Sequence, residues 1–154
     1  MSMKQTVLVY IENDNHYLLI HKQKPDMNFN KHMGVGGKIE AGETPLQAAK
    51  RETLEETGLT LINPTFRGEV YFHSNDYIEK MFLFTASQFT GELVASSEGD
   101  LIWVHKDRLK SLLMWEGDYQ FLERLNQKVV FVMHLYYEGE KLYKVTSGPL
   151  ASDF

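Results

Sequence analysis

Apolar residues fall in short runs separated by polar turns. Residues 7–11 (Val-Leu-Val-Tyr-Ile) and 17–20 (Tyr-Leu-Leu-Ile) are each of strand length, and Asn13-Asp14-Asn15 between them predicts a hairpin turn. Residues 24–31 form a polar loop with Pro25 and Asp26, and Gly34, Gly36, Gly37 and Gly42 follow in what reads as a glycine-rich loop. Between Thr44 and Gly58 the spacing predicts a helix. Thr44 suits the N-cap, Pro45 the first turn, Gln47 completes a capping box, and Gly58 suits the left-handed residue that ends a helix. Strand-like stretches resume at 66–72, 80–89 and 101–105, helical ones at 107–114 and 118–127, and a closing hairpin at 129–137 and 141–145 turns on Glu138-Gly139-Glu140. Strands, one central helix, more strands and late helices make a mixed order, so the expected class is α+β rather than a regular βαβ repeat.

Composition narrows the function classes. A chain of 154 residues fits one domain over 1–154. With no cysteine it has no disulfide, thiolate metal site or thiol nucleophile, which fits a reducing, cytoplasmic setting. No apolar run reaches the length needed to span a bilayer, and Met1 to Gln5 lead into the first strand without a signal-peptide layout. A net charge of −5 argues against a nucleic-acid polymer as partner, but not against a nucleotide held by local cations and a metal. The expected state is a monomer or weak dimer.

The chemistry centres on Glu52, Glu55 and Glu56. Positions i, i+3 and i+4 share one helix face, so three carboxylates crowd the end of the central helix. Like charges repel there by a few tenths of a kcal/mol per pair, and anions at a helix C-terminus oppose the macrodipole. A hard divalent cation such as Mg²⁺, shared with substrate phosphates, would remove that penalty. Taken alone, three glutamates also describe a solvated acidic face, with Lys50 and Arg51 partly neutralising it. The glycine stretch leading directly into the helix favours the metal reading, because its carbonyls would complete an oxygen-rich site.

The segment 37–59 resembles the Nudix box, G-x5-E-x7-R-E-U-x-E-E-x-G-U with U a bulky apolar residue. Gly37, Glu43, Arg51, Glu52, Glu55, Glu56, Gly58 and Leu59 match, and Thr53 stands where an aliphatic residue is usual. The resemblance implies an α/β/α sandwich with a mixed central sheet and a hydrolase of nucleoside diphosphate linkages that uses Mg²⁺, or Mn²⁺ in its place. It implies that Glu52, Glu55 and Glu56 hold the metal together with a carbonyl of Gly36 or Gly37, that Arg51 orients a catalytic glutamate, and that Glu43 pairs with Arg51. Glu98, with Asp100 as fallback, resembles a loop glutamate that contacts metal or acts as base in MutT-like relatives. Lys22, Lys24 and Lys38 are candidates to face a triphosphate, and a solvated strand end is the plain alternative for each.

Trp115-Glu116-Gly117-Asp118 points to the base. An indole offers a stacking surface and a carboxyl can bond a purine's N–H groups, although Trp115 also suits a core position. The stretch resembles the C-terminal part of MutT-type 8-oxo-dGTP diphosphatases. Gly117 stands where some members carry a second acid, and Met33 where some carry asparagine. Phe29, Tyr71, Phe72, Phe82 and Phe84 are further candidates to line a base pocket. The expected activity is conversion of a purine nucleoside triphosphate, oxidised ones such as 8-oxo-dGTP included, to monophosphate and diphosphate. An ADP-ribose-type hydrolase and a non-catalytic nucleotide sensor are the alternatives.

Overall fold

The computed structural model describes residues 3–75 and 77–150; Met1 and Ser2 of the expected amino-terminal layout lie outside them. The strands are β1 (Lys4–Asn13), β2 (His16–Lys22), β3 (His32–Met33), β4 (Val35–Lys38), β5 (Thr60–Leu61), β6 (Thr65–Ser74), β7 (Tyr77–Ala86), β8 (Phe89–Thr90), β9 (Gly99–His105), β10 (Phe131–Glu138) and β11 (Lys141–Pro149). Helix α1 spans Pro45–Thr57 and α2 spans Glu116–Arg124. Nine strands form one sheet in the order β11-β10-β6-β7-β1-β2-β3, with β4 on β1 and β9 on β2, while β5 and β8 pair separately. The sheet is mixed: β1–β7 and β6–β10 are parallel, the other pairs antiparallel.

Strand alternation splits the core into two layers. Along β1, Val7, Val9 and Ile11 pack with Ala48 and Ala49 of α1. Leu8 and Tyr10 face the other way, into a cluster with Phe121 and Leu122 of α2. One helix on each face of the sheet gives the α/β/α layering, and each buried Phe or Leu contributes roughly 1.5–3 kcal/mol to it. Among the described residues no helix is long and apolar enough to cross a membrane.

Local signals act as their chemistry demands. Asp14 and Asn15 both adopt positive φ (51° and 60°), the two-residue turn that suits the twist of a β1–β2 hairpin. Thr44 Oγ1 accepts from Gln47 N, the Gln47 side chain accepts from Thr44 N, and Gly58 at φ 81° donates to Leu54 O. Ala48 and Ala49 are small enough to let α1 ride close on β1 and β4.

Three elements differ from expectation. Residues 107–114 are not an α-helix. Lys106–Ser111 is a 3-10 turn, started by the His105 side chain accepting from Asp107 N and ended by Leu112 N donating to Leu109 O. The late helix starts at Glu116 and ends at Arg124, earlier at both ends than expected. The glycine stretch is not a loop. Residues 35–38 form β4, antiparallel to β1, and Gly34, Gly36 and Gly37 have no positive φ. At Gly36 the β1 backbone approaches too closely for a side chain: a Cβ there would sit 2.0 Å from Val7 O.

Thr53 packs at 0% exposure under α1, and its Oγ1 has no hydrogen-bond partner. Leaving a buried hydroxyl unpaired costs about 1–3 kcal/mol, and valine has nearly the same shape. Thr53→Val is therefore expected to raise the melting midpoint by several degrees. A scanning calorimetry trace with an unchanged or lower midpoint refutes this.

Candidate active site

A cavity of about 320 Å³ opens beside β1, where that strand gives its outer edge to β4 over residues 6–9 and to β2 over residues 11–13. Gly36, Gly37, Lys38, Lys22 and Glu98 line one part of it; Met33, Phe72, Trp115 and Asp118 line another.

At the first part, α1 aims its charged face at β4. Arg51 organises this face. Its Nε and Nη2 donate to both oxygens of Glu43 at 2.6 and 3.0 Å, Nη1 donates to Glu52 Oε1 at 2.8 Å and lies 3.3 Å from Glu55 Oε2, and Nη2 also donates to Lys38 O at 3.0 Å. The Arg51–Glu43 pairing is the one the sequence suggested. Its two-pronged geometry uses guanidinium planarity that lysine lacks. Glu43 also accepts from Glu40 N, and Arg51 holds its carboxyl below the usual range. Glu52 is different. Burial raises its carboxyl, Arg51 works in the opposite direction, and the charges of Glu55 and Glu56 add to the rise.

Glu52 lies directly against the glycine strand: a Cβ on Gly37 would come 2.1 Å from its Oε2. Glycine is therefore required at 37 for the helix carboxylate to reach the strand. Glu55 is 56% exposed by side chain, and Glu56 accepts from Ser96 Oγ at 2.8 Å. That serine links the helix to the loop before β9, because Ser96 Oγ also accepts from Glu98 N at 3.1 Å. Glu98 is held by Lys22 Nζ at 2.8 Å and by Lys24, which lower its carboxyl in that order. Asp100 is exposed on β9 and does not line the cavity. Lys22 is mostly buried and faces the cavity, Lys38 sits exposed at its rim, and Lys24 is half-exposed on Glu98.

Among the described residues no three metal-binding side chains converge into a ready-made cage. Glu52 and Glu55 both lean on Arg51 Nη1, while Glu56 is bonded to Ser96. The donor chemistry still fits a hard divalent cation. Glu52, Glu55, Glu56 and the backbone of Gly36 and Gly37 are all oxygen donors, and Mg²⁺ is usually held by one or two carboxylates plus waters and substrate phosphates rather than by a closed protein cage.

At the second part, Trp115 is buried and packs edge-on against Phe72 and Tyr137 at ring-centroid distances of 5.6 and 5.3 Å. Its Nε1 donates to Asn28 Oδ1 at 2.7 Å, and Lys31 Nζ stands 4.6 Å from the ring centroid. Trp115 is thus both a core residue and a cavity wall. Asp118 is only 5% exposed, and its Oδ2 has no partner. Burial, and secondarily the charge of Glu79, push its carboxyl up to about 8.

Of the five aromatic candidates only Phe72 lines this cavity. Tyr71 points through the opposite face of β6 and stacks on His134 at 4.5 Å, Phe82 and Phe84 belong to the α1-side core, and Phe29 is 52% exposed outside. Alternation along a strand sends neighbours to opposite faces. Thr6, Asn28, Tyr77, Glu79 and Met81 also line the cavity without having been singled out. On β7, alternation puts Tyr77, Glu79, Met81 and Leu83 on one face, and Ile78, Phe82 and Phe84 on the other are equally apolar, so the pattern alone does not say which face meets the cavity.

The NUDIX domain model matches residues 3–125. An oxidized purine nucleoside triphosphate hydrolase of Danio rerio is 32% identical over 124 residues, 79% of this chain and 80% of that protein. An uncharacterized Nudix hydrolase of Bacillus subtilis is 35% identical over 119 residues, 73% of each chain. The crystal structure of a mutator MutT protein from Bacillus halodurans superposes with a TM-score of 0.86 at 28% identity, covering 97% of this chain and all of that one.

Proposed function

The chain belongs to the NUDIX domain family and is a Nudix hydrolase, and from that premise we propose that it hydrolyses purine nucleoside triphosphates, oxidised ones such as 8-oxo-dGTP included, to monophosphate and diphosphate with Mg²⁺. One observation carries this reading. A single cavity joins the glycine strand, Lys22 and Glu98 to a compartment walled by Trp115 and Asp118. Its lining suits a charged chain at one part and a flat heterocycle at the other. The Danio rerio relative named for oxidised purine nucleoside triphosphates supports the same substrate class.

Each residue takes a role from its position. Glu52, Glu55 and Glu56, with Gly36 or Gly37, would hold the cation, which when bound offsets phosphate charge and acidifies a water. Lys22 and Lys38 would neutralise phosphate oxygens along the cavity. Glu98 lies between two lysines on the same loop–helix network as Glu56, so it is placed to accept a proton from an attacking water once a triphosphate competes for Lys22 and Lys24. Arg51 is a positioning residue, itself held by Glu43 and bonding Glu52 directly. Met33, Phe72 and Trp115 give the heterocycle apolar surfaces, and Asp118 its polar contact.

A substrate panel with Mg²⁺ tests the reading: 8-oxo-dGTP, dGTP, dATP, ADP-ribose and inorganic triphosphate, with diphosphate release followed. Purine triphosphates should lead and diphosphate should appear. A preference for ADP-ribose sinks the proposal. On the same panel Trp115→Ala should raise KM for purine triphosphates about tenfold and leave inorganic triphosphate nearly unchanged, since one aromatic contact of this kind contributes about 0.5–1.5 kcal/mol beyond area burial. Equal effects on both would make Trp115 only a core residue.

A further inference from the structure

The heterocycle end of the cavity holds a second carboxylate that the assignment above leaves unused. Glu79 sits on β7 between Tyr77 and Met81, on the strand face that lines the cavity. Its carboxylate is fixed from two sides: Thr6 Oγ1 donates to Oε2 at 2.8 Å, and Tyr77 Oη donates to Oε1 at 2.6 Å. Both donors are neutral hydroxyls. Among the described residues no lysine or arginine forms an ion pair with Glu79, so its charge stays available to the cavity. Each carboxylate oxygen accepts about two hydrogen bonds, so one lone pair on each oxygen remains after the hydroxyls are served.

Asp118 lines the same cavity with an unpartnered, buried Oδ2. Helix α2 cannot add another side chain beside it from position 117. A Cβ on Gly117 would come within 2.5 Å of Leu135 Cδ1 and 2.7 Å of Tyr137 Oη, which itself accepts from Gly117 N. The second polar group of this compartment therefore comes from the sheet. Two carboxyls share the compartment walled by Met33, Phe72 and Trp115, one strapped by hydroxyl donors and one with an unpartnered oxygen.

We propose that Glu79 is a specificity-determining residue which, together with Asp118, selects a guanine-type heterocycle edge over an adenine-type one. The inference rests on the purine triphosphate reading. A guanine-type edge carries a ring N–H next to an amino group, two parallel donors that match the two free lone pairs of a fixed carboxylate, and beside them a carbonyl that accepts from a protonated Asp118. Carboxylate-assisted hydrogen bonds of this paired kind are about twice as strong as neutral ones. An adenine-type edge has one amino group and a ring nitrogen acceptor, which would set a lone pair against the carboxylate. Sites built to bond a particular donor discriminate strongly against substrates that lack it.

Steady-state kinetics of the full chain with Mg²⁺ on dGTP, 8-oxo-dGTP and dATP test this, comparing wild type with Glu79→Gln. The ratio of kcat/KM for guanine-type over adenine-type substrates should fall by about tenfold or more, through KM for the guanine-type substrates, with kcat within about twofold. An unchanged ratio, or an equal loss on all three, overturns the inference and leaves Glu79 a brace for Thr6 and Tyr77. Should Glu79→Gln fail to fold, Tyr77→Phe frees one oxygen of the carboxylate while keeping its charge. It should lower the same ratio at least threefold, and no change again overturns the inference. A wild type that cleaves none of the purine triphosphates sinks the substrate reading and this inference together. A wild type that cleaves them with a ratio indifferent to Glu79 sinks this inference alone.

Discussion

Glu55→Gln and Glu56→Gln are each expected to lower kcat by on the order of 10²-fold or more while the protein stays folded, because on the proposed metal assignment each removes one charged oxygen donor. The structural side of this expectation is specific. Neither carboxylate is buried in the core: Glu55 is 56% exposed, and Glu56 bonds only Ser96 among the described side chains. Both belong to a like-charged group on the last turn of α1, where no basic residue offsets the macrodipole. Removing one charge relieves a few tenths of a kcal/mol of repulsion. An inactive variant with an unchanged or slightly raised melting midpoint is therefore the signature of a group kept for chemistry at some cost in stability. The measurement pairs turnover with a melt at several Mg²⁺ concentrations. In wild type the midpoint should climb with Mg²⁺, and in the variants this climb should shrink. Near-wild-type turnover in both variants removes them from the metal site.

The second large effect lies at Asp118, and it separates stability from recognition. Its carboxyl is pushed up to about 8 in the folded protein, by burial first and by Glu79 second, from an ordinary value of 3.8. The folded state therefore keeps a proton that the unfolded chain loses. Stability from this group is fully present below about pH 4, declines as pH rises through the interval up to about 8, and levels off above it. The accumulated penalty at pH 7 is on the order of 4 kcal/mol. An amide cannot ionise, so Asp118→Asn should be more stable than wild type at pH 7, and its advantage should shrink on going down to pH 5. Denaturant titrations at the two pH values read this directly, and an advantage independent of pH refutes the buried neutral acid.

Recognition should respond differently. The neutral acid and the amide both present one donor group and one acceptor, so Asp118→Asn should keep purine triphosphate turnover within about tenfold. Asp118→Ala leaves the heterocycle's polar edge unpaired, at about 1–3 kcal/mol, and should lower kcat/KM by about 10–100-fold while sparing inorganic triphosphate. If alanine and asparagine behave alike, Asp118 does not touch the base.

Residues close in sequence explain most of what was legible beforehand. The capping box at Thr44 and Gln47, the left-handed stop at Gly58 and the Asp14-Asn15 turn are local bargains between side chain and backbone, closed within a few residues. The face shared by Glu52, Glu55 and Glu56 follows from helical period alone, and Arg51, midway along α1, reaches back to Glu43 just before the N-cap. Residues 106–111 have a helical pattern but form only a six-residue 3-10 turn, too short a run for α-type bonding to take over.

The substrate end belongs to the tertiary structure. Glycines 36 and 37 look like a loop until β1 is known to crowd a Cβ at 36 and Glu52 of α1 to crowd one at 37. Phe72 faces the cavity and Tyr71 faces away for a reason no composition reveals, namely the register of β6 against β7 and β10. Thr6 meets Glu79 across 73 residues because β1 and β7 run parallel in a register that places Lys4 opposite Glu79. Asp118 is a surface acid by composition and a neutral, unpartnered one only once α2 packs it against the sheet. The acidic face of α1 follows from residue order alone, because it depends on spacing within one turn or two. Only the folded sheet decided which carboxyls meet at the other end of the cavity, because strand register and burial are set by partners far away along the chain.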